Sequence, residues 1–320
     1  MRAFMTRGAM LGWAAMVLSI GIVWVIQVFA VPWMDPYLTD ILTRVGMNLL
    51  AVMGLALVLG FTGQFSLGHA GFMAVGAYTA GALVYFEHVH PLVGILAGGL
   101  AASLVGVAVG LPSLRLTGDY LAVVTLGFNG IIIVLIQNAD WLGGAKGLIG
   151  LPTFTNFGWT FSFVIVGALA IRNVIASAQG RVFEAVRDNE IATRSLGIDT
   201  TRAKVTAFVF GAFWAGIAGG LVAFHRGSIF PTQFQYDRSI ELVTMVVLGG
   251  TGSLSGPLIA SSVLTALPEI LRPIAQYRMV IYALLLIGMM ILRPTGLLGA
   301  RELTEVVAAA VKRRRAARAG

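Results

Sequence analysis

The sequence has no cysteine among its 320 residues, four histidines, and charged side chains at only 11% of positions. The missing cysteine excludes disulfides, thiolate nucleophiles and Cys-ligated metals. The histidines are scattered and belong to no HExxH motif, so we predict no metal site and no cofactor. The sequence contains no phosphate loop of the form GxxxxGK followed by Ser or Thr. No Ser/His/Asp or paired-carboxylate arrangement converges within its apolar segments either. We therefore predict no catalytic residues and no ATP hydrolysis by this chain.

Apolar side chains, by contrast, are abundant. They make up 58% of the sequence, and the mean hydropathy is +0.88. An ordinary soluble domain has roughly 45–50% apolar and about 25% charged residues. A water-soluble fold of this size could not bury so much hydrocarbon, and disorder requires the opposite composition. The sequence therefore predicts an all-α integral membrane protein, and its 40 glycines favour close helix packing in lipid.

The apolar residues fall into runs suited to crossing about 30 Å of hydrocarbon, which takes roughly 17–25 residues. We predict a polytopic helical bundle of about ten membrane segments. They are 10–30, 41–61, 65–86, 91–111, 119–138, 154–171, 204–224, 239–250, 255–271 and 279–292. The first run has a basic start, as a signal peptide does, but it is longer than the usual 7–15-residue apolar region. We interpret it as a retained span.

The distribution of basic residues predicts the orientation. With the N-terminus inside, sixteen of the 22 Lys and Arg residues lie on the cytoplasmic side and six lie outside. This agrees with the positive-inside rule and predicts that both termini are cytoplasmic. The net charge of +8 then reflects loops and a basic cytoplasmic tail, 299–320, rather than a nucleic-acid surface. Residues 1–298 form the predicted transmembrane domain.

The stretch 179–204 is the one substantial polar insert in the sequence. We predict a single helix over 181–196, in which Glu190 and Arg194 form a favourable pair four residues apart. The apolar side of this helix is expected to consist of Val182, Ala185, Val186 and residues 192–196.

The end of that helix has its own signals. Gly197 fits the position after the last helical residue, and Asp199 or Thr200 fits the cap of the next helix. The pattern leaves two interpretations open. One is a solvated surface helix with balanced charges, and the other is a helix that docks on a cytoplasmic partner.

A short glycine-rich pattern occurs twice. Gly60–Ser66 and Gly249–Ser255 agree at four of seven positions, and each ends one apolar run and begins another. Paired Gly-interrupted segments in two halves of a transporter often mark the substrate path. Chance agreement between two tight turns is the alternative. The candidate path residues are Gly63, Ser66, Gly68, His69, Gly249, Gly250, Gly252 and Ser255.

Isolated polar residues within the apolar runs are interpreted as structural. We expect His69, Asn48, Asn129 and Gln137 to hydrogen-bond neighbouring helices, with solute contact as the alternative for His69. Arg44 lies four residues before Asn48, near the outer mouth of its segment. We expect its side chain to extend towards water, with attraction of an anionic group as the alternative.

Four motifs, in order, resemble the permease subunits of branched-chain amino-acid ABC importers, the LivH/LivM family. They are Gly60–Phe72, Leu116–Phe128, Arg181–Ile198 and Val247–Pro257, and the likeness runs from about residue 41 to 299. The Leu-Arg-Leu-x-Gly-Asp-Tyr block ending at Tyr120 is similar to the LivM-type subunit.

The resemblance implies the architecture of an ABC importer permease in a bacterial inner membrane. Besides the lipid bilayer, it implies three kinds of partner: a homologous second permease, two cytoplasmic ATPase subunits and an extracytoplasmic solute-binding protein. It also implies that residues 179–204, called the coupling segment from here on, sit in a groove of the ATPase and transmit its closure. The implied coupling residues are Arg181, Glu184, Arg187, Asp188, Asn189, Glu190, Ala192 and Gly197.

The transported solute stays open at this stage. Asn129 stands where the family often has an acidic residue, and the outer-loop pattern of the family is changed at Lys146. Branched-chain or similar small amino acids are expected, and urea, short amides or aromatic acids are the alternatives. A stand-alone carrier driven by an ion gradient, and a scaffold or membrane enzyme without solute flux, are the competing classes.

Overall fold

The computed structural model describes residues 2–113, 118–272, 277–292, 296–297 and 299. Within these ranges the chain forms twelve α-helices. They are α1 (Arg2–Phe29), α2 (Pro36–Ala56), α3 (His69–Glu87), α4 (Pro91–Ser113), α5 (Asp119–Gln137), α6 (Phe157–Ala176), α7 (Ala178–Asp188), α8 (Glu190–Ser195), α9 (Thr200–Ala223), α10 (Tyr236–Gly249), α11 (Ser255–Ile270) and α12 (Arg278–Leu292). The predicted basic tail, 299–320, lies outside the described residues except for Gly299.

The predicted segments coincide with ten of these helices, α1 to α6 and α9 to α12. In the described part of the chain, six stretches are long and apolar enough to cross a membrane. They are Ala15–Trp33, Pro36–Phe61, Pro91–Pro112, Tyr120–Gln137, Phe157–Ala176 and Thr200–Ala223. The fold is therefore the all-α architecture expected of a membrane protein.

Several helices begin where a short polar side chain caps the first turn. Asp35 accepts a hydrogen bond from the backbone N–H of Tyr37 at 2.9 Å, and Pro36 occupies the first position of α2. Asn156 accepts from Trp159 N at 3.0 Å at the start of α6. These contacts satisfy backbone donors that the helix itself leaves unpaired. The starts of these helices are thus determined by residues next to them in the sequence.

The core forms around α9, which packs against α2, α3 and α4. The close approach of α9 to α3 requires glycine. A Cβ added at Gly219 would lie 1.9 Å from the carbonyl oxygen of Met73, and one at Gly76 would lie 2.2 Å from that of Gly216. The expectation that the glycine excess serves close helix packing is confirmed.

Two of the apolar runs are interrupted by non-helical backbone. After α2, the chain passes through a π-helical segment, Leu57–Phe61, and is non-helical from 63 to 68 before α3 begins at His69. The prediction that the third segment is helical from residue 65 is therefore wrong at its start. Gly63 has a φ of +67°, which a right-handed helix does not allow, and this ends the helix.

The second interruption lies between α10 and α11. There, Gly250 and Gly252 have φ angles of +111° and +102° and reverse the chain. The predicted break between segments 239–250 and 255–271 is confirmed at these residues.

One pair of two-residue strands was not predicted. β1 (Leu148–Ile149) and β2 (Ser228–Ile229) pair antiparallel and tie the connection after α5 to the connection after α9. Thr155 strengthens this tie by donating a hydrogen bond to the carbonyl of Leu221 at 2.8 Å. Strands this short give no alternating pattern in the sequence.

Candidate functional site

The coupling segment folds as two helices rather than as the single helix predicted. The break is at Asn189, whose backbone is extended (φ −159°, ψ 100°) and whose side chain accepts a hydrogen bond from Ala192 N at 3.0 Å. Asn189 thus caps α8 and stops α7, which is a common role for asparagine. Gly197 ends α8 with a φ of +81°, and Asp199 caps α9 by accepting from Arg202 N at 2.9 Å. Both of these predictions are confirmed.

The change of direction at Asn189 alters which side chains are buried. Phe183 and Val186 of α7 are buried, and so is Thr193 of α8. Ile191 and Leu196 are 84% and 79% exposed. The predicted apolar side is therefore wrong for 192–196, because α8 does not continue the face of α7. Two large apolar side chains, Ile191 of α8 and Leu196 directly after it, therefore point away from the body of the protein.

Glu190 is at the centre of a charged cluster. Its carboxylate lies 3.2 Å from Arg194, the predicted pair, and 2.5 Å from the ammonium of Lys204 in α9. Thr200 also donates a hydrogen bond to it, at 3.2 Å. The Lys204 side chain is only 8% exposed, whereas that of Arg194 is 67% exposed. No local pattern in the sequence indicated the contact with Lys204. It is the better shielded from water of the two ion pairs of Glu190.

Arg187 connects the coupling segment to the first glycine-rich turn. Its guanidinium donates a hydrogen bond to the carbonyl oxygen of Gly60 at 3.2 Å and contacts Asp188 at 3.0 Å. Its side chain also covers Gly63, where an added Cβ would lie 3.2 Å from Arg187 Cγ. Of the remaining predicted coupling residues, Arg181 and Ala192 are exposed and Glu184 is half-buried. Two separately predicted regions are therefore in direct contact.

A small cavity of about 430 Å³ lies at this junction. The side chains and backbone around it come from the turn, the coupling segment and α9: Thr62, Gly63, Gln64, Arg187, Glu190 and Lys204. Gln64 donates hydrogen bonds to Thr62 Oγ1 at 2.7 Å and to the carbonyl of Lys204 at 3.3 Å. The turn is thus tied to α9 as well as to α7.

The two glycine-rich turns lie side by side, which their sequence similarity did not require. A Cβ added at Gly60 would lie 3.3 Å from the backbone nitrogen of Gly252, and one at Gly256 would lie 2.2 Å from the carbonyl of Gly249. A Cβ added at Gly250 would lie 2.7 Å from the carbonyl oxygen of Gly299. Ser255 is the first residue of α11. Backbones this close leave no room for larger side chains.

The remaining candidate path residues follow Gly63 along the chain. Ser66 is fully buried and accepts a hydrogen bond from Gly68 N at 3.4 Å. His69 is 1% exposed, and neither of its ring nitrogens has a hydrogen-bond partner among the described residues. The expected hydrogen bond from His69 to a neighbouring helix is therefore absent. Its ring instead packs edge-on against Phe72, with 6.1 Å between ring centroids.

A larger cavity, of about 670 Å³, lies towards the other end of α2 and is called the charged cavity here. Its polar lining includes Arg44, Asn48, Arg226, Arg238, Glu241 and Glu269. Arg44 contacts Glu269 of α11 at 2.9 Å and Asp40 at 3.0 Å. The expectation that Arg44 simply extends to water is therefore wrong, because two carboxylates pair with it.

The second arginine of the charged cavity comes from α10. Arg238 contacts Glu241 at 2.5 Å and donates a hydrogen bond to Asn48 of α2. Asn48 donates in turn to Thr265 of α11 at 2.8 Å, which confirms its expected structural hydrogen bond. Helix α2 is thus joined around one polar space to α10 and α11, which lie far from it in sequence. The partners lie 190 and 217 positions apart, so no local sequence pattern could have indicated them.

His225 lies at the edge of the charged cavity, next to Asp40. His225 Nε2 lies 2.8 Å from Asp40 Oδ1, and Arg226 contacts the same carboxylate at 3.3 Å. Burial lowers the pKa of His225 below its ordinary value and outweighs the opposing effect of Asp40. His225 is therefore neutral at neutral pH, and the charges of this region are those of its arginines and carboxylates.

Interrupted apolar helices, a polar segment clamped to a glycine-rich turn, and a charged cavity towards the opposite end of α2 define a multi-pass membrane permease. Residues 37–293 match the family model of the branched-chain amino acid transport system permease component. The chain belongs to this family, and it is a transport subunit.

Curated relatives agree with this membership. The chain is 34% identical over 311 residues to the high-affinity branched-chain amino acid transport system permease protein LivM of Salmonella typhimurium, covering 85% of this chain and 73% of the relative. LivM of Escherichia coli gives the same identity and coverage. LivH of Escherichia coli is 29% identical over 187 residues, covering 57% of this chain and 60% of the relative. No solved structure matches the chain significantly.

Proposed function

We propose that this chain is the LivM-type permease subunit of an ATP-driven importer that moves branched-chain amino acids across the bacterial inner membrane. The 34% identity to two LivM proteins over most of their length supports this assignment. Because LivH proteins are more distant relatives, a second, homologous permease is the expected partner in the membrane. Two ATPase subunits in the cytoplasm and a solute-binding protein outside complete the proposed assembly.

In this assembly both termini and the coupling segment are cytoplasmic, and ten segments cross or enter the membrane. The excess of Lys and Arg in the loops on the coupling-segment side supports this orientation. Arg187 of the coupling segment contacts Gly60, which follows the end of α2, whereas Arg44 of the charged cavity lies nearer the start of α2. In this proposal the coupling segment and the charged cavity therefore face opposite sides of the membrane. The charged cavity is then the extracytoplasmic opening.

The ATPase binds the coupling segment in this proposal. Ile191 and Leu196 are large, apolar and almost fully exposed on a segment that is otherwise polar, which is unfavourable in water unless a partner covers them. A short helix and the residue after it, which present two apolar side chains beside charged ones, suit a groove on a protein surface. The exposed Arg181, Asp188 and Ala192 lie on the same segment and complete the proposed contact.

The observation that carries the proposal is the contact of Arg187 with the first glycine-rich turn. A displacement of the coupling segment by the ATPase must move Gly60 and Gly63, since Arg187 is hydrogen-bonded to one and packed on the other. The Glu190–Lys204 ion pair passes the same displacement to α9, the central helix of the bundle. The neighbouring second turn, at Gly249–Ser255, moves with the first, and the two turns gate the path.

Uptake of radiolabelled leucine into proteoliposomes tests this function. The vesicles contain the chain together with the second permease, the ATPase and the binding protein expected from neighbouring reading frames. We expect accumulation that requires ATP and is stopped by vanadate. Accumulation by this chain alone under an ion gradient, indifferent to ATP, would instead establish a secondary carrier. Competition by urea, short amides or aromatic acids in place of leucine would identify one of the alternative solutes.

Charge reversal tests the coupling step in the same vesicles. Arg187→Glu removes the hydrogen bond to Gly60, so we expect ATP hydrolysis to continue without stimulation by the loaded binding protein. Arg172→Glu, on the exposed surface of α6, is the matched control and should behave like the wild type. Normal stimulation in the Arg187 variant would exclude the proposed lever.

A further inference from the structure

We propose, on the basis of the function proposed above, that the charged cavity binds the solute as a zwitterion, with its carboxylate beside Arg238 and its ammonium group beside Glu241 and Glu269. The cavity includes no residue of the glycine-rich turns or of the coupling segment, so it is a separate binding site on the path.

The cavity presents charges of both signs, as a zwitterion needs. Its lining includes three arginines, Arg44, Arg226 and Arg238, and two carboxylates, those of Glu241 and Glu269. A third carboxylate, that of Asp40, is not part of the lining and pairs with Arg44 and Arg226. His225 contributes no charge at neutral pH, because burial lowers its pKa. The carboxylate and the ammonium group of one solute can therefore each meet a group of opposite charge.

The key charges lie deep enough to bind strongly. Arg238 reaches Asn48, which is twelve residues from the start of α2 at Pro36, or roughly 18 Å along the helix axis. The side chains of Arg238 and Glu269 are 21% and 20% exposed, so they border a space but are sheltered from bulk water. Charge-assisted hydrogen bonds are stronger in such surroundings than at the surface.

The backbone adds to the positive side of the site. Arg238 is the third residue of α10, and no side chain caps the start of this helix. The positive end of the helix dipole therefore lies beside the arginine, whose own backbone N–H donates to the carbonyl of Gln235 at 3.0 Å. Interrupted helices of transporters use such ends to hold anionic groups of the substrate.

The remaining wall fits an aliphatic side chain. It is formed by apolar residues that include Met47, Met73, Phe234 and Leu264. Methionine is flexible and adapts to ligands of different shape, which suits a set of branched side chains. At about 670 Å³ the cavity is within the range of small-molecule sites, roughly 300–1,000 Å³.

Ligand-induced stabilisation of the purified full-length chain in detergent tests the site. Leucine is compared with 4-methylpentanoate, which lacks the ammonium group, and with 3-methylbutylamine, which lacks the carboxylate. We expect leucine to raise the unfolding temperature at millimolar concentration, and each analogue to need about tenfold more or not to act. Equal potency of leucine and either analogue, or no effect of leucine, would overturn the proposal.

Variants then locate the binding. Arg238→Gln should weaken leucine by about tenfold or more and make leucine and the amine alike, while Glu241→Gln should make leucine and the carboxylate alike. Arg172→Gln, on α6, is the matched control and should keep the wild-type response. The comparison of analogues on the wild type decides the matter even if a variant fails to fold.

Uptake by the assembled importer separates this inference from the function on which it rests. An Arg238→Gln importer that retains the wild-type KM for leucine would refute the zwitterion site and leave the importer function intact. A wild-type assembly that transports no leucine would refute the importer function, and the binding experiment would still decide the role of the cavity.

Discussion

Replacing Gly63 by alanine separates the proposed lever from ordinary backbone strain. Gly63 has a φ of +67°, a conformation that costs an L-residue about 1–2 kcal/mol. The new Cβ would also lie 3.2 Å from Arg187 Cγ, so the arginine has to shift by a few tenths of an ångström. Weakening its hydrogen bond to Gly60 costs about 1 kcal/mol more.

Gly150 provides a matched control outside the coupling segment and its contacts. Its φ is +92°, and an added Cβ would make only an ordinary contact, with Tyr85 Cε2 at 3.9 Å. Gly150→Ala should therefore lose about 1–2 kcal/mol of folding free energy and nothing through Arg187. We expect Gly63→Ala to be the less stable variant by about 1 kcal/mol in thermal unfolding in detergent.

The decisive assay is ATP-driven leucine uptake per folded permease. Loss of about 1 kcal/mol from the coupled step corresponds to a rate roughly fivefold lower. We expect this loss in Gly63→Ala and a near wild-type rate in Gly150→Ala. If both variants transport equally well per folded molecule, the contact between Arg187 and the turn has no part in coupling, and the reasoning is refuted.

Three further predictions concern docking, the ion pair and the packing of the bundle. Ile191→Ser should leave the free energy of unfolding within about 0.5 kcal/mol of the wild type but weaken pull-down of the ATPase. Ile149 is equally apolar and is 61% exposed outside the coupling segment, so Ile149→Ser should leave the pull-down unchanged. Equal recovery of the ATPase by the two variants would contradict the docking role. Lys204→Met and Glu190→Gln should each lower the free energy of unfolding by about 1–2 kcal/mol, and a double-mutant cycle should show a coupling energy above about 0.5 kcal/mol. Strictly additive losses would mean that the ion pair is not maintained. Gly219→Ala places a methyl 1.9 Å from a backbone oxygen of α3, so we expect a loss of about 2 kcal/mol or more, measured by thermal unfolding, and an unchanged midpoint would show that the two helices separate readily.

Much of the candidate site could be predicted because its signals are local. The exit at Gly197 and the cap at Asp199 follow from the backbone freedom of glycine and from the hydrogen-bonding capacity of a short carboxylate. The Glu190–Arg194 pair follows from helix geometry. The break at Asn189 was missed because asparagine is tolerated within helices as well as at their starts, and the sequence does not state which role it takes.

Contacts between distant parts of the chain could not be predicted. Arg187 reaches Gly60 across 127 positions, and Arg44 reaches Glu269 across 225. An ion pair depends on where two backbone segments lie in the fold. In the sequence, several carboxylates were equally suitable partners for each arginine. His69 shows the opposite error, since its expected hydrogen bond is missing among the described residues.

Composition and apolar run length by themselves determined that this protein is helical and lies in a membrane, because the cost of exposing hydrocarbon to water depends on the amount of it and not on its arrangement. Capping side chains determined where five of the described helices begin, α2, α6, α7, α8 and α9, and glycine determined several of the turns between helices. Tertiary structure alone decided that the coupling segment contacts the first turn and that α2, α10 and α11 enclose charges of both signs. The reason is that helix packing brings these groups together, and any one helix carries only part of each site.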